Sequence, residues 1–256
     1  MAVGRRIGST LVLVLLPPSE TKALGGSGAP LDLDLLSHPE LTPVRGKLVD
    51  ALVDLAADVP ASLAVLGLSE RQAGEVERNA ELRRSPTLPA LARYTGVLYD
   101  ALGLDSLTKA ERARAFARLS VASALFGVVG GGDPIPAYRL SGGSVPPSVG
   151  PLGGLWRPAL EPVLAAADEF VVDLRSSPYT SLARIPHAAV IRVVTEDGTG
   201  RRNAVSHFNK AHKGRLAQAI VKSRSEPSDL KGLVKVAGRA GLRVERTGPA
   251  TADLVV

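Results

Sequence analysis

The sequence predicts an α+β protein built as a single domain, with a mixed β-sheet and a helical middle rather than a doubly wound alternation. Three observations carry this. The continuous aliphatic, β-branched run at residues 10–16 reads as a buried strand, and residues 169–174 and 188–195 read as further strands. The stretch between the first and second of them shows mainly helical spacing. The chain has 256 residues, 45% of them hydrophobic, and no internal repeat, so one domain spanning 1–256 can bury most of its apolar surface.

Taken in order, residues 10–16 form a strand stopped by Pro17-Pro18. Arg5 and Arg6 ahead of this run give it a superficial likeness to a secretory leader. The run is short and lacks a small-residue cleavage site, which favours a buried first strand. Residues 17–30 are a glycine-rich loop. A helix spans 43–57, with Val44, Leu48, Leu52 and Leu55 at helical spacing. Residues 60–84 read as two short helices around a tight bend. Residues 89–102 and 109–127 are helical or mixed, the second opened by Thr108 with Glu111 three residues on, a capping box.

Residues 130–158 hold eight glycines and six prolines and read as one long functional loop carrying Tyr138, Arg139 and the single tryptophan, Trp156. Beyond it, 203–208 joins the strands. Residues 209–224 and 229–240 are helices, and 242–246 and 252–256 are short closing strands.

Composition narrows the chemistry. There is no cysteine, which excludes disulfides, thiol nucleophiles and Cys-ligated metal sites. The four histidines form no H-x-x-x-H pair, so neither a metal nor a cofactor is expected. No run approaches the ~20 apolar residues that span a bilayer, so a cytoplasmic protein without a membrane partner is expected. The net charge is +6, and residues 201–246 alone carry twelve Lys/Arg against three Asp/Glu. This asymmetry fits an anionic partner, duplex DNA in particular; a solvated basic face is the plain alternative. Only 4% of residues are aromatic, which weighs against single-strand binding by stacking.

The order of short motifs then points to a family. Pro17-Pro18-Ser19-Glu20-Thr21-Lys22 follows the first strand and looks like S-P-x-K-T. Ala124-Leu125-Phe126-Gly127-Val128-Val129 is similar to G-L-Y-G-V-L, and residues 133–140 (DPIPAYRL) to D-x-I-x-P-Y-R-L. Residues 172–179 (VDLRSSPY) match N-L-A-S-x-E-Y loosely, and 209–215 (NKAHKGR) is similar to K-x-A-R-G. These blocks resemble the YaaA family, that of the peroxide stress proteins, over nearly the whole chain. The departures are a doubled proline and an inserted acid in the first block, Asp173 for Asn, and Pro178 for the acid before Tyr179. The resemblance implies a part in oxidative-stress defence, DNA binding through a positively charged cleft, and a helix-hairpin-helix element, with no established reaction.

On this sequence the hairpin falls at Gly67-Leu68, with Ser69 capping the next helix and Gln72 closing a capping box. A helix-hairpin-helix aims main-chain N–H groups at a phosphate; a plain helical hairpin of the core fits the same residues. Lys210, Lys213 and Arg215 near the start of a helix suit phosphate contacts. Gly214 among them marks a close approach to the backbone, since glycine in mid-helix costs ~1 kcal/mol.

A second site is expected where loop and strand ends meet. Ser19, Glu20 and Lys22 lie just past the first strand, Asp173 and Arg175 end another, and Tyr138, Arg139 and Tyr179 flank them in loops. Neither a P-loop nor a G-x-S-x-G elbow is present. If these segments converge, they form a pocket of cations and aromatic rings suited to a nucleotide or nucleobase. Glu20 or Asp173 would then act as acid or base in an enzyme of glycosidic-bond chemistry. Each residue taken alone also has a structural explanation.

Overall fold

The computed structural model describes residues 11–205 and 209–256. The first strand, β1 (Val12–Leu16), is buried nearly throughout, as its unbroken aliphatic run requires. The chain next contributes the short strand β2 (Gly28–Pro30), then α1 (Thr42–Leu55), α2 (Val59–Leu66) and α3 (Gly74–Ala80). It continues through β3 (Pro86–Pro89), α4 (Ala90–Arg93), α5 (Val97–Leu102) and α6 (Lys109–Arg118). Both sides of the capping box between Thr108 and Glu111 are formed at the start of α6.

The second half runs β4 (Leu119–Ser123), β5 (Gly127–Gly130), β6 (Pro134–Ile135), α7 (Leu152–Ala165), β7 (Phe170–Asp173) and α8 (Ser177–Thr180). It closes with β8 (Ala189–Glu196), β9 (Arg202–Ala204), α9 (Asn209–Lys222), α10 (Leu230–Arg239), β10 (Arg243–Arg246) and β11 (Thr251–Val255).

One mixed sheet organises these elements in the order β10-β11-β8-β7-β1-β4-β5, with β9 also on β8. Its middle is parallel: β1 pairs with β4 and β7, and β8 with β7 and β11. The remaining pairs, β4–β5, β8–β9 and β10–β11, are antiparallel. Strands β2, β3 and β6 form a separate small sheet, which the sequence reading did not anticipate.

Two expectations need correction. Residues 109–127 are not helical to their end: helix stops at Arg118, and β4 inserts beside β1 with all five residues buried. Burial on both faces outweighs the helical preference of the preceding Ala-rich turn. Residues 130–158 are not one loop either. α7 starts at Leu152 and contains both Pro158 and Pro162. Leu152, Trp156, Leu160 and Leu164 recur every fourth residue and are all buried, so the apolar stripe holds the helix despite two missing N–H donors. Of the strand expected over 203–208, β9 covers the start, and 206–208 lie outside the described residues, as do residues 1–10 with Arg5 and Arg6.

Buried arginines fasten the loops. Arg93 donates to the carbonyls of Ala23, Gly25, Pro86 and Ile135, tying the loop after β1 to the small sheet. Arg45 likewise binds the carbonyls of Ser37, His38, Phe126 and Val128. Burial lowers the Arg45 pKa to about 10, with Asp133 and Glu40 opposing the shift. Such carbonyl clamps satisfy a desolvated guanidinium without a carboxylate partner.

Candidate functional site

Parallel strands place ligands at their carboxyl ends, and three of them end together here. β1 runs into Ser19–Lys22, β4 ends at Ser123, and β7 ends at Asp173 with Arg175 and α8 just beyond. In register, Leu15 of β1 faces Asp173 on one side and Ser120 of β4 on the other.

Lys22 is the centre of this region. Its Nζ donates to the Ser19 carbonyl at 3.0 Å and lies 4.2 Å from the Tyr138 ring centroid and 5.3 Å from that of Tyr94. Burial lowers the Lys22 pKa to about 8; Glu20 resists the shift and Arg139 adds to it. The Tyr138 hydroxyl sits 2.7 Å from both the Tyr94 hydroxyl and Ser123 Oγ, a closed chain in which burial raises the Tyr138 and Tyr94 pKa values. Arg139 pairs with Glu20, with Nη1 3.4 Å from the half-exposed carboxylate. Asn79 fixes the Arg139 backbone from both sides, donating to its carbonyl and accepting from its N–H. Among the described residues the buried Arg139 Nε has no hydrogen-bond partner. Tyr179, also buried, has its pKa raised first by burial and then by Glu20.

The structure therefore brings together Ser19, Glu20, Lys22, Tyr138, Arg139 and Tyr179, as the sequence suggested, and adds Tyr94, Ser123 and Asn79, which it did not. A usable signal was present. The chain has only four tyrosines. Tyr94 and Tyr138 turn their rings to Lys22, Tyr179 feels the charges of Glu20 and Arg139, and Tyr99 stacks on Tyr94 at 5.5 Å and donates to the Pro17 carbonyl.

Asp173 and Arg175 lie at the end of β7 beside this site and bind each other. Both are buried, and both Asp173 oxygens accept from the Arg175 guanidinium, at 2.9 and 2.8 Å, so the carboxylate is held in a buried ion pair. Lys213 closes the same corner from α9, donating to the carbonyls of Leu174 and Arg175. Its pKa is lowered by burial, against the pull of Asp173. Lys210, one turn earlier, is exposed. Gly214 is explained by packing: a Cβ there would lie 2.2 Å from the Leu98 carbonyl oxygen, so the close approach is that of α5, not of a ligand.

The basic C-terminal region divides in two. Arg202 and Arg243 are absorbed in a network with Glu196 and Glu245, and Arg202 and Arg192 also bind Asp253. Arg215, Lys222, Arg224 and Arg239 instead line a groove of about 710 Å³ between α9 and α10, floored by Ala219 and Val236. All four are exposed, and among the described residues none forms an ion pair and no carboxylate lines the groove.

At the hairpin, Gly67 ends α2 at φ 63° and the Ser69–Gln72 capping box forms as expected. The bend's backbone donors are already taken: Gly67 N–H by Ala64, Leu68 N–H by Leu63 and Ser69 N–H by the Gln72 side chain. Glycine is thus required by the left-handed helix cap itself.

Among the described residues no helix is long and apolar enough to cross a membrane. A parallel-centred mixed sheet ending in a tyrosine-walled lysine site, with a basic groove between its last two helices, defines a mixed α/β protein with two cationic sites. The family description "Peroxide stress protein YaaA" matches residues 12–246, and the chain belongs to that family. It is 47% identical to a UPF0246 protein of Corynebacterium efficiens, covering 91% of this chain and 95% of the relative. A UPF0246 protein of Streptomyces coelicolor is 43% identical, covering 93% and 94%, and one of Dinoroseobacter shibae 32% identical, covering 68% and 72%.

Proposed function

We propose that this peroxide stress family member acts on nucleic acid, holding duplex backbone in the groove between α9 and α10. One observation carries the reading: four exposed cations, Arg215, Lys222, Arg224 and Arg239, share one groove with no carboxylate among the described residues lining it. Unpaired like charges repel one another, and a polyanion that releases its own counterions relieves that repulsion. The hairpin at Gly67 is not needed, because its N–H groups are used within the protein. The test is binding of a short duplex to the wild type and to a variant carrying Arg215→Gln and Arg239→Gln. Exchanging two exposed groove cations should weaken binding by about tenfold or more at low salt with the melting temperature unchanged. Equal affinity would dismiss the groove.

A second reading has its own support. The Lys22 region lies at the carboxyl ends of β1, β4 and β7 and joins cations to tyrosine rings, which suits a nucleotide or nucleobase. Titration with nucleoside monophosphates tests it. Binding should be lost in Arg139→Met, and a wild type that binds none of them refutes it.

A further inference from the structure

We propose that Lys22 is a nucleophilic amine that forms an imine with an aldehyde or ketone whose neighbouring anionic group is held by Arg139. This deepens the second reading and rests on it only for where the ligand sits.

The geometry is unusual for a structural lysine. Among the described residues Lys22 forms no ion pair: its ammonium meets one carbonyl oxygen and two ring faces, while Glu20, the nearest acid, is bound by Arg139. A lysine kept for folding usually reaches water or a carboxylate. Here the amine is held among tyrosines where three parallel strands end, yet keeps partial exposure. Arg139 supplies the second half. Its Nη1 reaches Glu20 at 3.4 Å, but among the described residues its buried Nε has no hydrogen-bond partner, and a carboxylate or phosphate oxygen would satisfy that donor. The carbonyl group and the anion of one small ligand could then lie on Lys22 and Arg139 together.

Reactivity follows from the surroundings. Desolvation, with Arg139 and Arg78 adding to it and Glu20 and Glu75 opposing, brings the amine to about 8. About a tenth of it is then neutral at pH 7, against far below a hundredth for an exposed lysine. The neutral nitrogen attacks the carbonyl carbon, forming a C–N bond. Glu20, half exposed beside the site, accepts a proton from nitrogen and returns one to the departing oxygen. The carbonyl oxygen leaves as one water, carrying both amine protons, and no electrons are exchanged with any other group. The product is an imine, which stabilises negative charge at the adjacent carbon.

The experiment is adduct mapping on the full chain at pH 7 with glyoxylate and cyanoborohydride. The hydride reagent reduces any imine to a stable secondary amine that peptide mass spectrometry locates. The chain has eight lysines. Lys22 should be modified about tenfold faster than any exposed one, and Lys22→Arg should remove that adduct alone. Arg139→Gln should slow the Lys22 adduct of glyoxylate about tenfold more than that of propionaldehyde, which has no anion and so reports only the changed surroundings of the amine. Modification that merely follows exposure, with Lys210 and Lys222 ahead of Lys22, overturns the proposal, and this needs no variant. A glyoxylate rate slowed no more than that of propionaldehyde in a folded Arg139→Gln protein overturns the anion-holding role. Nucleotide binding without the Lys22 adduct ends the imine proposal and leaves the second reading standing; the adduct without nucleotide binding does the reverse.

Discussion

Replacing Gly214 by alanine sets two opposing effects against each other. In an exposed helix the change would stabilise by about 1 kcal/mol, because alanine is the better helix former. Here α9 crosses α5 so closely that the new Cβ would lie 2.2 Å from the Leu98 carbonyl oxygen and 2.9 Å from the Ala101 Cβ. An ordinary carbon–oxygen contact is about 3.3 Å, so the helices must part by about 1 Å. The obstacle is backbone, which cannot rotate aside as a side chain can. Overpacking of this kind costs about 1–3 kcal/mol, and the loosened contact also reaches Gln218, which donates to the Leu102 carbonyl. The net expectation is destabilisation of up to about 2 kcal/mol, or a melting temperature lower by up to roughly 6 °C for a chain of this size. Urea unfolding followed by circular dichroism measures it. Gly238→Ala in α10 is the control: a Cβ there meets nothing within 4 Å, so it should add about 0.5–1 kcal/mol. If Gly214→Ala stabilises as much as Gly238→Ala, the packing argument is wrong.

Three further outcomes follow from the same geometry. Gly67→Val should cost about 1–2 kcal/mol because its φ of 63° is left-handed, while duplex affinity of the folded variant stays unchanged. Weakened binding would restore the hairpin as a phosphate clamp. Asp173→Ala should be strongly destabilising, by about 3–5 kcal/mol, since it leaves the Arg175 guanidinium buried and unpaired; a stable variant that has lost only a ligand would instead make Asp173 a functional group. Lys22 predicts a pH effect. Its folded value of about 8 lies below its ordinary 10.5, so between these the unfolded chain binds more protons. The lysine's burden on stability is therefore full below about pH 8 and is relieved as pH rises towards 10.5. Wild type should gain stability relative to Lys22→Met across that window, and parallel curves would contradict the assigned environment.

Strands and helices with a single clear periodicity were legible in the sequence. β1 is an unbroken aliphatic run and β7 a short apolar one ending in Asp173, and the caps at Thr108 and Ser69 formed as their spacing demanded. What misled was punctuation. Prolines and glycines at 146–158 signal a loop, yet the four-residue spacing of Leu152, Trp156, Leu160 and Leu164 outweighs them through burial. Gly214 carried a true signal of close approach, but local sequence cannot say whether the approaching group is a ligand or another helix. The site was half visible. Ser19, Lys22, Tyr138 and Arg139 sit in motif blocks, whereas Tyr94 and Asn79 lie in stretches with no motif and become part of the site only through tertiary contact. Charge counting likewise marked the C-terminal region as basic without separating Arg202 and Arg243, which are neutralised by acids from β8 and β10, from the four free cations of the groove.

The most direct test of the proposed function is the salt dependence of duplex binding. If Arg215, Lys222, Arg224 and Arg239 each neutralise one phosphate, log affinity should fall linearly with log salt at a slope of about −3 to −4. The variant with Arg215→Gln and Arg239→Gln should fall at about −2. Affinity that does not change with salt, or a slope left unchanged by those two substitutions, would contradict the account.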